Sequence, residues 1–194
     1  MTRSRERFVR VHSGSLRGRR LRYPDDAALR PTMQRAKASL FDALGEAVRG
    51  AVFADLYAAA GGMGIEALSR GAAFVHFVER DSRALSLLRT NLEACRVAPE
   101  RFLVHAAAVA DGLAGGALRT PGVEVAFADP PYGGDGAQTV LAHFDAAAYP
   151  RLRALVIEHG GTLSASGLRA LRLVRERRFG GTHVSFFAAP GGDA

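Results

Sequence analysis

The residues of this chain best suited to chemistry are Asp129-Pro130-Pro131-Tyr132, which follow the apolar run Val123-Glu124-Val125-Ala126-Phe127-Ala128. Two consecutive prolines fix the backbone and carry no N–H, so the local carbonyls turn outward without competition from the chain itself. An exocyclic amine on a nucleobase offers two N–H donors and a lone pair delocalised into the ring. If the Asp129 carboxylate and the Pro130 carbonyl each accept one of those N–H groups, the nitrogen moves towards tetrahedral geometry. Its lone pair then aims at a sulfonium methyl group, which is positioning plus electrostatic complementarity to a transition state. Tyr132 adds an aromatic face on which a flipped-out base can stack. Asp129, Pro130, Pro131 and Tyr132 are thus the candidate catalytic set. The plainer reading is a proline stop after a strand, with Asp129 merely capping it.

Two further features point to a nucleotide-like cofactor. Asp55-Leu56-Tyr57-Ala58-Ala59-Ala60-Gly61-Gly62-Met63-Gly64 follows one apolar run and opens a helical one. Small residues there let the backbone approach a ligand, and the helix N-terminus supplies unpaired N–H groups. The same stretch alone could be no more than a tight turn. Glu79 ends the next apolar run, where a carboxylate can accept both hydroxyls of a ribose; the alternative is a solvated strand-end charge paired with Arg80 or Arg83. Together these two features leave a nicotinamide dinucleotide and S-adenosylmethionine open, and Asp129-Pro130-Pro131-Tyr132 decides for the methyl donor.

Charge is distributed unevenly. The chain carries a net +7, yet eleven of its 26 basic residues fall within the first 37 positions, against three acidic ones. The remainder is nearly balanced. Such asymmetry predicts a polyanion-binding segment on a neutral body, with Arg10, Arg17, Arg19, Arg20, Arg22, Arg30, Arg35 and Lys37 as candidate RNA contacts. A solvated basic tail is the bland alternative, and a general preference for Arg explains the choice of cation but not its crowding at one end. A single cysteine, Cys95, excludes a disulfide framework, fits a reducing cytoplasm and reads as core. The charged opening Met1–Arg7 predicts no secretory leader, and no apolar run approaches a membrane span. The expectation is a cytoplasmic monomer with no membrane contact and no metal.

These residues need elements to hold them. Residues 7–22 read as two short strands around Ser13-Gly14-Ser15. Thr32 reads as the N-cap of a helix using Ala36, Leu40, Phe41, Leu44 and Val48, ended by Gly50. Strands follow at 51–57, 74–79, 102–105, 123–128 and 152–158. Helices lie between them at 62–70, from an N-cap at Ser82 to Cys95 with Leu85, Leu88 and Leu92 inward, at 108–118 and at 136–147. Residues 170–177 and 183–188 read as an antiparallel pair across Phe179-Gly180-Gly181. Alternating strand and helix implies an α/β fold with a mostly parallel sheet covered on both faces. The antiparallel pair at its C-terminal edge fits the methyltransferase variant of the doubly wound fold. The predicted organisation is a basic N-terminal hairpin extension over 1–30, a methyltransferase domain over 31–190 and a tail over 191–194.

At this point the sequence resembles a known family, the RsmD-type bacterial 16S rRNA guanine-N2 methyltransferases. The resemblance rests on Arg30-Pro31-Thr32 with Arg35, Leu40 and Phe41, on the run Gly64-Ile65-Glu66-Ala67-Leu68-Ser69-Arg70-Gly71-Ala72, and on Asp129-Pro130-Pro131-Tyr132. Val156-Ile157-Glu158-His159 and Phe179-Gly180-Gly181-Thr182 also match. It implies a Rossmann-like class I fold of seven strands and S-adenosylmethionine as donor. It further implies one guanine of small-subunit rRNA as acceptor, modified during subunit assembly, with the basic hairpin engaging the RNA. Asp55, Tyr57, Gly61, Gly64, Glu79 and Arg80 are then the expected cofactor contacts. The alternatives are another acceptor (adenine N6 or a glutamine amide), or a degenerate relative that grips RNA without catalysis. In two places the sequence departs from the family pattern. Ala59 stands where the family has glycine, which is tolerated at negative φ and costs about 1 kcal/mol at positive φ. His105-Ala106-Ala107-Ala108 lacks the polar residue expected near an adenine.

Overall fold

The computed structural model describes residues 7–24, 31–116, 118–131, 133–145, 149–166 and 168–189, with side chains left aside at 31–36 and 145. Its core is a seven-stranded sheet built of β3 (Val52–Leu56), β4 (Phe74–Glu79), β5 (Phe102–Ala106), β6 (Val125–Ala128), β7 (Ala154–His159), β8 (Arg172–Phe179) and β9 (Thr182–Ala188). In space the order is β5-β4-β3-β6-β7-β9-β8. The strands β5 to β7 run parallel, and β9 pairs antiparallel with both β7 and β8. The expected α/β class, mostly parallel sheet and C-terminal antiparallel hairpin are all present.

Alternation along the strands splits the core into two layers. Phe53 faces one, with Phe41, Leu68, Phe77, Leu88 and Leu92. Val52, Ala54 and Leu56 face the other, with Val140, Leu141, Phe144 and Ile157. Each fully buried aromatic or aliphatic side chain contributes about 1.5–3 kcal/mol. The first layer is roofed by α1 (Pro31–Leu44), α2 (Gly62–Ser69) and α3 (Ser82–Ala94), and the second by α4 (Val109–Ala114) and α5 (Gly136–Asp145). Cys95 is buried in the first layer, as expected.

Local chemistry moves several boundaries. Thr32 is not a cap, because α1 already begins at Pro31, a residue suited to the first turn, where an N–H would have no partner. The helix ends at Leu44, where Gly45 at φ +49 leads into a 3-10 turn over Gly45–Val48. Ser82 is inside α3, since Asp81 caps it by accepting from the Ala84 N–H at 2.8 Å. The helix expected over 108–118 is shortened to α4 because Gly115 and left-handed Gly116 stop it. The expected sheet strands lie within two residues of those observed.

The N-terminal hairpin pairs β1 (Arg7–Arg10) with β2 (Arg20–Tyr23), Phe8 opposite Arg22 and Arg10 opposite Arg20. Its turn is longer than Ser13-Gly14-Ser15 and leans on α2. The buried Glu66 carboxylate accepts the His12 and Ser13 N–H groups at 2.8 and 3.0 Å, and Ser69 Oγ accepts the Leu16 N–H at 2.9 Å. Asn91 of α3, wholly buried, accepts the Arg22 N–H at 2.7 Å and donates to the Arg22 carbonyl at 3.0 Å. Val11 and Leu21 join the first core layer. Hairpin and sheet domain therefore share one hydrophobic cluster across residue 30.

Candidate active site

The strand order reverses between β3 and β6, and parallel sheets bind ligands beyond the carboxyl ends of strands at such a switch. The loops after β3, β4, β5 and β6 converge there on one cavity of about 870 Å³, within the size range of small-molecule sites. Tyr57, Ala59, Glu79, Arg80, Asp129 and Pro130 all line it.

The loop after β3 is tightly specified. Tyr57, Ala59 and Gly61 lie at φ 60, 47 and 82°, left-handed at every second residue. For the two non-glycine residues this costs about 1–2 kcal/mol each, and the surrounding hydrogen bonds hold them there. Ala58 N–H donates to the Val78 carbonyl at 3.0 Å and Gly61 N–H to the Ala58 carbonyl at 2.7 Å. Ala59 N–H donates to Glu79 Oε2 at 2.8 Å. Asn91 donates a third hydrogen bond, at 2.9 Å, to the Ala60 carbonyl. Ala59 thus stands in the conformation in which its methyl is strained, yet it borders an open cavity.

Glu79 does not pair with Arg80 or Arg83 here. Its Oε1 accepts the Arg80 and Asp81 N–H groups at 2.7 and 2.8 Å while Oε2 takes Ala59. One carboxylate therefore clamps the ends of two strands at the cavity wall. A second lone pair on Oε2 stays available to a hydroxyl donor.

Asp55, Gly61 and Gly64 stand behind this loop; none of them is among the residues lining the cavity. Buried Asp55 accepts the Gly64 N–H at 2.7 Å at the start of α2. Burial pushes its carboxyl up to about 7, against the pull of the Gly64 N–H and the Lys37 ammonium. A Cβ on Gly64 would meet the Phe77 ring at 2.2 Å, so glycine there permits close helix–sheet packing. At Gly61 both the left-handed φ and Leu88, 2.3 Å from a would-be Cβ, demand glycine.

Lys37 also faces inward. Its ammonium donates to the Gly62 carbonyl, and burial pulls it down to about 8 despite nearby Glu66 and Asp55. The structure thus corrects its assignment as an RNA contact: it sits on the same helical face as Leu40 and Phe41, three and four residues on. Tyr23 is enclosed beside the same glycine turn, its hydroxyl pushed well above the usual tyrosine range by burial and by Asp55.

Across the cavity, Asp129 is half-buried at the end of β6. Burial first, then Glu158 and Asp55, push its carboxyl up to about 7. Pro130 is buried and Pro131 exposed. Beyond them a second cavity of about 380 Å³ includes Gln138, His159 and Thr162 in its wall. His159 is held by the Gly161 carbonyl at 2.6 Å and Ser185 Oγ at 2.9 Å. Tyr132 and Arg30 lie outside the described residues, and only the backbone of Arg35 is described. Arg10, Arg17, Arg19, Arg20 and Arg22 are exposed on the hairpin, well apart in the chain from the cavity walls.

Sequence reasoning missed Asp81, Asp135 and Thr139, which also line the main cavity, whereas Ala107 and Ala108 belong to the stretch it expected near an adenine. The signal for them is positional: each follows a strand whose carboxyl end opens on the cavity. It also missed Glu66 and Asn91, polar residues placed on otherwise apolar helix faces. Among the described residues no group of three or more His, Cys, Asp or Glu is placed to hold a metal ion, and no helix is long and apolar enough to cross a membrane.

Known proteins resemble this chain over much of its length. The family described as conserved hypothetical protein 95 matches residues 9–188. A candidate rRNA methyltransferase of Bacillus subtilis strain 168, YlbH, is 37% identical over 64% of this chain and 67% of its own. Ribosomal RNA small subunit methyltransferase D of Escherichia coli K12 is 35% identical over 64% of this chain and 60% of its own. The solved structure of an Escherichia coli methyltransferase candidate, yhhF, superposes with a TM-score of 0.80 at 25% identity, covering 94% of this chain and 98% of that one.

Proposed function

This chain belongs to the family described as conserved hypothetical protein 95, and we propose that it is an S-adenosylmethionine-dependent methyltransferase acting on the exocyclic N2 of a guanine in small-subunit ribosomal RNA. The observation that carries the reading is one cavity walled by Glu79 and the left-handed turn on one side and by Asp129-Pro130 on the other. The residues fit the cofactor. Glu79 Oε2 has a lone pair free for a ribose hydroxyl, and Ala59 adds no more than a methyl group to the cavity wall. The walls at Val78, Ala107, Ala108 and Val109 are apolar enough to receive an adenine by packing alone.

S-adenosylmethionine supplies an electrophilic methyl group on a sulfonium. The work of the chain is to present the amine. Asp129 accepts one N–H and the Pro130 carbonyl the other, which orients the nitrogen lone pair into the cavity. Transfer would break the methyl–sulfur bond as the N–C bond forms, leaving the donor as a neutral thioether and the amine acidic, with one proton to lose. Asp129, with its carboxyl raised to about 7, accepts that proton and releases it to solvent. Tyr132 stacks on the base. Arg10, Arg17, Arg19, Arg20, Arg22, Arg30 and Arg35 hold the RNA by its phosphates, and the protein works in the cytoplasm as a monomer without a metal.

The test is transfer of labelled methyl from S-adenosylmethionine to immature small ribosomal subunits lacking the modification. Wild type is expected to label 16S rRNA on guanine N2. Calorimetric binding of the cofactor without transfer to naked, partly assembled or complete subunits would reject the reading. The non-catalytic alternative predicts no heat on titration with S-adenosylmethionine.

A further inference from the structure

We propose that the outward face of the β1–β2 hairpin is a stacking surface for an unpaired RNA nucleobase, with Phe8 as its platform and Arg20 holding the ring in place. This deepens the preceding reading and rests on it.

The hairpin alternates from Phe8 to Val11 and from Arg20 to Arg22. Val9 and Leu21 point into the core at 7% and 0% exposure, which sends Phe8, Arg10, Arg20 and Arg22 to the opposite face. Phe8 is 40% exposed, one of the few large apolar side chains left open in the described structure. The Arg20 guanidinium lies 3.9 Å from the centre of its ring. Arg20 reaches it diagonally, since Phe8 stands opposite Arg22 and Arg20 opposite Arg10. Arg10 is spread along the surface by its bond to the Gly18 carbonyl at 2.9 Å. From Arg7 to Pro24 the sequence has six arginines and no acidic residue.

An edge-protecting hairpin needs charge but gains nothing from an open phenylalanine. A ring held among guanidinium groups is instead the combination that grips a nucleotide: phosphates meet the cations and the base meets the ring. A base inside a duplex already has both faces covered, so the partner presents unpaired nucleotides. An acidic protein segment would satisfy the arginines and leave Phe8 without a role.

The chain contains no tryptophan, so Phe8→Trp places a single fluorophore on this face. Titration with a single-stranded oligoadenylate of about twelve nucleotides, enough to span a site of this kind, is expected to quench its emission. Polyphosphate and a duplex RNA of equal length are expected to leave the emission unchanged while still binding through charge. Phe8→Ala is expected to weaken oligoadenylate binding by about 5- to 100-fold, the range of one stacked base. The salt dependence stays unchanged, because no phosphate contact is lost. Phe8→Trp restores the affinity.

Unchanged emission from the Phe8→Trp variant at saturating oligoadenylate, or equal quenching by polyphosphate or duplex, overturns the stacking surface. So does wild-type affinity in Phe8→Ala. If the alanine variant fails to fold, the tryptophan emission decides alone. Wild-type binding and methyl transfer separate the two claims. Binding and transfer with no quench reject the stack alone, whereas neither binding nor transfer removes both.

Discussion

The loops that follow β3 and β6 end neighbouring strands of one sheet and face each other across one cavity, yet they are made in opposite ways. The first is fixed by partners: every second residue is left-handed, and Glu79, Val78 and Asn91 each hold one of its backbone groups. The second is fixed by covalent restraint, two prolines in a row. After them come exposed glycines, Gly133 and Gly134, around which a side chain would meet nothing within 4 Å. The cofactor is the same in every turnover and suits a rigid cradle. The acceptor we propose is one nucleotide of a large, folded RNA, and the room around Gly133 and Gly134 suits its entry. On the proposed function the loops would divide the work, preorganised binding on one side and presentation of the amine on the other.

The largest effect that separates them is expected from Asp129→Ala. Loss of one hydrogen-bond acceptor for the amine should lower kcat by about 10²–10³-fold. Cofactor affinity, measured by calorimetry, should stay close to wild type. A matched fall in cofactor affinity would mean the two loops are not separable. The acidic limb of the rate profile is next. Asp129 must be ionised to accept an N–H, so kcat should rise as pH rises through about 7 and fall about tenfold per unit below it. Asp129→Asn should abolish that limb along with most of the activity. Stability runs the other way. Asp55 and Asp129 both hold their protons more tightly in the folded chain. Their contribution is therefore complete below about pH 4 and lost as the pH climbs through about 7, which a series of melting curves would show.

Glu79→Ala should act on the opposite wall. It leaves the Ala59, Arg80 and Asp81 N–H groups without their acceptor, so cofactor affinity should drop about 10- to 100-fold, with kcat at saturation little altered. The smallest effect is expected from Ala59→Gly. Relief of the left-handed alanine should raise stability by about 0.5–1 kcal/mol, seen as a melting temperature higher by about 1–4 °C. An unchanged melting temperature would show that Ala59 is not strained.

Most of the fold is legible in the sequence because hydrophobic period and glycine punctuation agree along the chain, which brings the sheet strands to within two residues of their observed ends. Errors arise where one side chain outweighs periodicity, as when Asp81 takes the cap expected of Ser82. Asp129, Glu79 and the glycine turn are legible by type and spacing, but the depth of each residue is not. Asp55, Gly61 and Gly64 support the loop from behind, a distinction that depends on what a Cβ would strike. A charge count groups Lys37 with its basic neighbours because such a count has no direction. Its register with Leu40 and Phe41 already places it on the inward face of α1. Glu66 and Asn91 escape notice for the converse reason: their value lies in backbone partners more than 30 residues away, which no local pattern carries.

Asn91 has an implication for how such a protein can change over generations. It grips the main-chain N–H and carbonyl at position 22, not the arginine side chain, and with its remaining donor holds Ala60. The identity of the outward residue at 22, and of its neighbours across the strand, is thereby uncoupled from the posture of the turn at Ala60. Lineages can rewrite the outward face of the hairpin without retuning the turn at the cavity wall. Discarding the strand would instead remove both main-chain partners of Asn91 at position 22 and take Leu21 out of the first core layer.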